Sequence, residues 1–183
     1  MKLTIKEMCI SSMFALIIAM GAFIKIPISL VPVTMQTLFV ILCALLLGSK
    51  LATLSVLLYI AIGLVGIPVF ANGGGITYVL QPSFGYLLGF LLAAKVVGSL
   101  KDKFTSFGTM LCLCIFGMLI IYAIGFGYFY FIQNIYFGKN FKFGWMFYNL
   151  FLVYLPGDIL ACIAAAIIKQ KVAIVVKLPS SSV

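Results

Sequence analysis

Asp158 is the one acidic side chain set inside a long apolar run, in the segment Tyr154-Leu155-Pro156-Gly157-Asp158. An ionised carboxylate deep in a bilayer costs at least ~2.5–3.5 kcal/mol to insert, so it is kept where it is paired, hydrated or used. Two roles follow. Its oxygens accept hydrogen bonds from the N–H groups of a ligand, or they cap a helix restarted after Pro156-Gly157 by accepting freed backbone N–H groups. The other two acids, Glu7 and Asp102, sit at the ends of apolar runs. Histidine is absent, which removes the usual base near neutral pH, a common metal ligand and the partner of nucleophilic serine or cysteine. The chain has no paired carboxylates and no metal-ligand cluster. Its only Gly-Lys, Gly138-Lys139, is followed by Asn140 and lacks the spacing of a phosphate-binding loop. The chemistry on offer is recognition, with no cofactor or metal, rather than catalysis.

Several polar or flexible residues join Asp158 as candidates for ligand contact. The loop Pro68–Ser83 carries no charge and holds Asn72 before three consecutive glycines, Gly73, Gly74 and Gly75. Backbone amides in such a stretch approach a ligand closely, or the stretch is a plain flexible loop. Gln36 either hydrogen-bonds a ligand or bridges to a neighbouring helix. Tyr78, Tyr86 and Tyr154 either stack on an organic ligand or belong to the aromatic belt at the membrane interface. Each is weak alone; their gathering towards one face is the stronger observation.

Those residues need elements to position them. The chain has 183 residues, 65% hydrophobic and 8% charged, with a net charge of +9. A soluble domain carries about 25% charged residues, so this composition cannot cover a water-facing surface. A membrane-spanning helix needs ~20 mostly apolar residues. Six runs qualify approximately: 8–24, 33–48, 51–67, 84–100, 107–131 and 145–168. The second is short and the fifth long, so tilt or a bend is expected, and the alternation of a transmembrane barrel is missing. The expectation is one all-α integral membrane domain over 1–183, with an uncleaved first helix.

Lysine placement sets the orientation. With six spans both termini share a side, which holds Lys2, Lys6, Lys50, Lys95, Lys101, Lys103, Lys169, Lys171 and Lys177, against Lys25, Lys139 and Lys142 on the other. Both termini are therefore expected in the cytoplasm of a cell membrane. The positive charge is a topology signal and a contact for anionic lipid head groups. Short loops offer no nucleic-acid surface. The long uncharged loop Pro68–Ser83 makes the outer face the expected ligand side.

Ser11, Ala15 and Ala19 form a small-residue stripe on the first helix, which suits close approach by a partner helix or packing inside the bundle. Gly85 and Gly89 repeat the spacing and read as internal packing. Cys9, Cys43, Cys112, Cys114 and Cys162 all lie in apolar runs and read as free thiols.

Four segments, Pro32-Val33-Thr34-Met35-Gln36-Thr37-Leu38, Gly63-Leu64-Val65-Gly66-Ile67-Pro68-Val69-Phe70, Pro82–Phe90 and Leu155-Pro156-Gly157-Asp158, resemble the BioY family. Its members are the biotin-specific substrate-binding (S) components of energy-coupling factor (ECF) transporters. The resemblance runs from helix 1 to helix 6, in order. It implies an S-component fold of six transmembrane helices, with a vitamin pocket at the outer side closed by the loops after helices 1 and 3. It implies that Asp158 and the Asn72–Gly75 loop contact biotin, and that the Ala15/Ala19 stripe docks on a transmembrane T component served by two cytoplasmic ATPases. The chain departs from the family pattern at Ala161, where a lysine is usual, and at Leu87, where some members have a basic residue. Backbone amides of Gly73–Gly75 are the expected substitute for the missing cation. The alternatives are an S component for another small vitamin-like solute, or a membrane structural protein that transports nothing.

Overall fold

The computed structural model describes residues 3–27 and 31–175, with side chains to residue 172. Lys2 and Lys177, used above for orientation, lie outside the described residues. Helix α1 spans Ile5–Phe23. Thr4 starts it as a capping box: the Thr4 N–H donates to Glu7 Oε2 (2.8 Å) and the Glu7 N–H donates to Thr4 Oγ1 (3.2 Å). A two-stranded antiparallel sheet follows, β1 (Lys25–Ile26) against β2 (Val33–Thr34), with Lys25 opposite Thr34. Then come α2 (Gln36–Leu47), α3 (Ser49–Leu64), a 3-10 turn at Ile76–Leu80, α4 (Phe84–Leu100) and a 3-10 turn at Lys101–Lys103. Helix α5 (Phe107–Tyr130) starts at Ser106, whose Oγ accepts the Thr109 N–H (3.4 Å), and continues into a π-helical turn at Phe131–Tyr136. The last span is built in pieces: α6 (Phe143–Phe147), a π-helical turn at Tyr148–Leu152 and α7 (Leu155–Val175).

Four of these stretches are long and apolar enough to cross a membrane: Ile5–Phe23, Phe84–Lys103, Phe107–Tyr136 and Phe143–Val172. Helices α2 and α3, with 12 and 16 residues, are shorter. At 1.5 Å per residue α2 reaches only ~18 Å. The second expected span, 33–48, loses its beginning because Val33 and Thr34 pair with the chain leaving α1 instead of joining the helix. The sixth restarts at Leu155 rather than after Pro156-Gly157. Pro156 falls in the first turn of α7, where no backbone donor is needed. The fifth continues beyond 131 through its π-helical turn.

One apolar core runs through the bundle, including Ile18, Ile41, Tyr59, Phe90, Leu113, Met118, Ile121 and Ala165. Large apolar side chains such as Met13, Leu16, Met20, Leu92, Phe116 and Leu160 point outward, as a lipid-facing surface requires. Helices α4 and α5 form the most extensive pairing. Gly89 makes it possible: a Cβ there would come within 2.9 Å of the Ile121 backbone. The reading of Gly85 and Gly89 as internal packing holds.

The small-residue stripe of α1 faces inward. Ser11, Ala15 and Ala19 are all buried, and α1 packs mainly on α3 and also on α2. Of the two readings, approach by a partner helix or packing inside the bundle, these contacts are those of the second. Small residues at four-residue spacing mark a side of close approach, and here the neighbour is the chain's own bundle.

Candidate functional site

A cavity of about 40 Å³ lies at the end of the bundle where α1 finishes and α2 and α4 begin, and it reaches the break before α7. Val31, Thr34, Gln36, Ala71, Tyr78, Ser83, Tyr86, Phe90, Tyr122, Tyr154 and Asp158 are among its lining residues. Aromatic walls with a few polar groups are the usual make-up of a small-molecule site.

Asp158 is 5% exposed and stands in the first turn of α7, near the midpoint of the Phe143–Val172 stretch. The local sequence puts it there. The π-helical turn and Pro156 interrupt the backbone ladder, so a new helix N-terminus forms inside the span, where the helix dipole favours negative charge. The Asp158 N–H donates to the Tyr154 carbonyl (3.0 Å). Its carboxylate accepts from the Tyr122 hydroxyl on α5, 2.6 Å from Oδ2. Among the described residues the only ion pair is Lys50–Glu7 (3.0 Å), so Asp158 has no cationic partner. A carboxylate has about four lone-pair sites. With the Tyr122 hydroxyl bonded to it and the Thr37 hydroxyl close by, the remaining lone pairs can accept ligand N–H groups. The capping role is not what its oxygens do here: their bond runs across to α5.

The predicted tyrosines come together. Tyr86 and Tyr154 stack with ring centroids 6.3 Å apart. The Tyr86 hydroxyl donates to the carbonyl of Leu150 (3.3 Å), within the π-helical turn. The Tyr154 hydroxyl donates to the carbonyl of Val31, tying the chain before β2 to the last span. Tyr78 accepts from Ser83 Oγ (3.0 Å) and packs on Phe70, centroids 4.5 Å apart. Its burial pushes the phenol pKa up, which keeps it a neutral hydroxyl. All three line the cavity and are buried, so they are not belt residues.

Gln36 makes the bridge to a neighbouring helix and also faces the cavity: its Nε2 donates to the Tyr59 hydroxyl on α3 (2.8 Å). Tyr59 in turn donates to the Val69 carbonyl (3.3 Å), so this chain of bonds fixes the start of the 65–83 loop. Tyr128 holds the same loop further on by donating to the Val79 carbonyl.

The glycine segment sits differently from the expectation. None of Asn72, Gly73, Gly74 and Gly75 lines the cavity. The Gly73 N–H donates to the Phe70 carbonyl (3.2 Å) and the Gly75 N–H to the Gly63 carbonyl (2.7 Å). These amides are engaged in folding the loop. Gly73 and Gly75 adopt φ of +114° and +101°, a region that favours glycine, and the resulting turn presents Ala71 and Tyr78 to the cavity. Ala161, 3 residues beyond Asp158, faces an apolar groove that shares Thr34 and Asp158 with the cavity, whereas Leu87 lines the cavity itself.

Tyr122, Thr34, Thr37 and Ser83 are lining residues the sequence reading missed. Tyr122 had a signal: its hydroxyl stands in the middle of the apolar run 107–131, where a lone polar group needs a partner. The threonines and serine had none, because such residues are common at helix starts.

Comparison with known proteins agrees with this architecture. Residues 1–177 match the model of the BioY family. The probable biotin transporter BioY of Lysinibacillus sphaericus is 48% identical over 159 residues, covering 85% of this chain and 79% of the relative. The biotin transporter BioY of Thermotoga maritima is 43% identical over 121 residues, 66% of this chain and 72% of that one. A crystal structure of the S-component for biotin from an ECF-type ABC transporter superposes with a TM-score of 0.79 at 26% identity, over 93% of this chain and 94% of the other. With residues 1–177 of its 183 matched by the family's model, the chain is an integral membrane protein that belongs to the BioY family.

Proposed function

We propose that this chain captures biotin in the cavity around Asp158, as the S component of an ECF-type transporter in the cell membrane. A transmembrane T component and two cytoplasmic ATPases complete the assembly and drive import. The observation that carries the reading is the buried Asp158 carboxylate, held by Tyr122 and facing a tyrosine-lined cavity without a cation beside it.

Biotin suits such a site. Its ureido N–H groups donate to the carboxylate as charge-assisted hydrogen bonds, which are about twice as strong as neutral ones. Its fused rings and alkyl chain bury against Tyr86, Tyr154 and Phe90. Gln36 and Tyr78 complete the contacts, and the Asn72–Gly75 turn acts as the frame that holds Ala71 and Tyr78 over the ligand. As it stands the cavity has room for roughly three waters. Ligand entry therefore requires the β1–β2 strap and the 65–83 loop to part, and bound ligand holds them apart from the core by its own volume.

The cavity end faces outside in this reading, with the lysine-rich end in the cytoplasm against anionic lipid. The test is calorimetric titration of the purified chain with biotin, with desthiobiotin as a near analogue and riboflavin as an unrelated vitamin. Saturable biotin binding with none for riboflavin is the expected result. Absence of saturable biotin binding overturns the proposal.

A further inference from the structure

The cavity contains one acid and no cation among its lining residues. A ligand that carries its own carboxylate would bring a second negative charge into these low-dielectric surroundings, which is unfavourable without compensation. Three lysines belong to this end of the bundle by connectivity: Lys25, Lys139 and Lys142. The Lys139 ammonium lies over the Phe137 ring, 5.6 Å from its centroid. Lys142 is exposed at the start of α6. Neither is tied to a lining residue.

Lys25 is tied to two. Its Nζ donates to the carbonyl of Ala71, and its partner across the sheet is Thr34; both Ala71 and Thr34 line the cavity. Residues directly opposite each other in an antiparallel pair project from the same face, so Lys25 and Thr34 share a side of the strap. The Ala71 carbonyl is itself held in place. Phe70 and Gly73 exchange N–H···O bonds of 2.9 and 3.2 Å around it, which closes the turn that contains Ala71. An ammonium has three N–H donors. One goes to Ala71, and the others have no partner among the described residues and can meet an anion at the cavity mouth.

We propose that Lys25 is the specificity residue for the acid end of the ligand: its ammonium, parked on the Ala71 carbonyl at the strap, receives the ligand's carboxylate while the N–H-bearing end reaches Asp158. This rests on the biotin reading above and adds the direction in which the ligand lies. The acid end stays at the mouth under the strap, and the ring end goes down towards α5 and α7. Lys25 thereby joins the strap, the 65–83 loop and the ligand in one contact.

The test uses the full purified chain and two ligands, biotin and its methyl ester, which lacks the charge. The unmodified chain binds biotin more tightly than the ester. Lys25→Met keeps the length of the side chain and removes the charge. It is expected to weaken biotin by about tenfold or more, the scale of one charge-assisted contact, and to leave the ester within about twofold of its original affinity. Lys25→Arg retains the preference for biotin. If Lys25→Met weakens both ligands equally, Lys25 only holds the strap and the proposal falls. It falls as well if biotin affinity is unchanged. Failure of the biotin reading has a different signature, since the unmodified chain would then bind neither ligand.

Discussion

The hydroxyl of Tyr122 on α5 donates to the carboxylate of Asp158 on α7 at 2.6 Å, joining two helices inside the apolar core. The bond crosses 36 positions of sequence and links α5 to the first turn of the helix that restarts the last span. A buried charge with hydroxyl partners and no cation beside it is both a stability requirement and a recognition group.

Replacing Asp158 therefore separates charge from shape. Asp158→Asn keeps the volume and one acceptor oxygen, whereas Asp158→Ala removes both. Hydrogen bonds to charged groups contribute about 1.5–3 kcal/mol each. The alanine variant should lose biotin affinity by ~100-fold or more, and the asparagine variant by ~10-fold, in calorimetric titration. Parent-like binding in both would remove Asp158 from the site.

Tyr122→Phe deletes only the donor. The carboxylate then stands buried without its closest donor, with only the Thr37 hydroxyl nearby, at a cost of about 1–3 kcal/mol. A lowered Tm in detergent is expected, with biotin restoring part of the loss because its N–H groups supply new donors. An unchanged Tm would mean that the bond contributes nothing to the fold.

Tyr154→Phe should act on rate. The lost hydroxyl frees the Val31 carbonyl and loosens the strap, while the ring stack with Tyr86 remains. A single neutral hydrogen bond of about 0.5–1.5 kcal/mol corresponds to a 2- to 13-fold faster release. Stopped-flow exchange of a fluorescent biotin measures it, and an unaltered release rate would show that the strap opens independently of Tyr154.

Gly89→Leu tests the close approach of α4 and α5. Even a Cβ meets the Ile121 backbone at 2.9 Å, so α4 and α5 must separate. Overpacking of this kind costs about 1–3 kcal/mol. Gly127→Ala on α5, where a Cβ meets nothing within 4 Å, is the matching control and should leave Tm nearly unchanged.

Legibility in the sequence followed the range of the interaction. Asp158 could be singled out because an acid in an apolar run is conspicuous without knowledge of its neighbours. The spans at α1, α4 and α5 could be drawn from local hydropathy, and Gly85 and Gly89 from their spacing. The Ser11, Ala15 and Ala19 stripe was ambiguous for a physical reason: spacing identifies a side of close approach but not which helix occupies it. The glycines at 73–75 were readable as a special turn, yet nothing local says whether an amide points into a cavity or back to Gly63. The β1–β2 pairing was invisible. Two residues per strand carry no periodicity, and the surrounding bundle decides that Val33 and Thr34 leave α2.

Five of the ties that hold the site share a chemical asymmetry. Tyr59, Tyr86, Tyr128, Tyr154 and Lys25 are the donors, and their acceptors are the main-chain oxygens of Val69, Leu150, Val79, Val31 and Ala71. Every amino acid supplies that oxygen, proline included, while very few supply a hydroxyl or ammonium at the end of a long side chain. The burden of heredity therefore falls on one half of each pair. The receiving positions can drift in identity as far as packing allows while the architecture over the cavity persists. The donating positions cannot, and a saturation library of this chain should show the contrast as paired columns, one permissive and one closed.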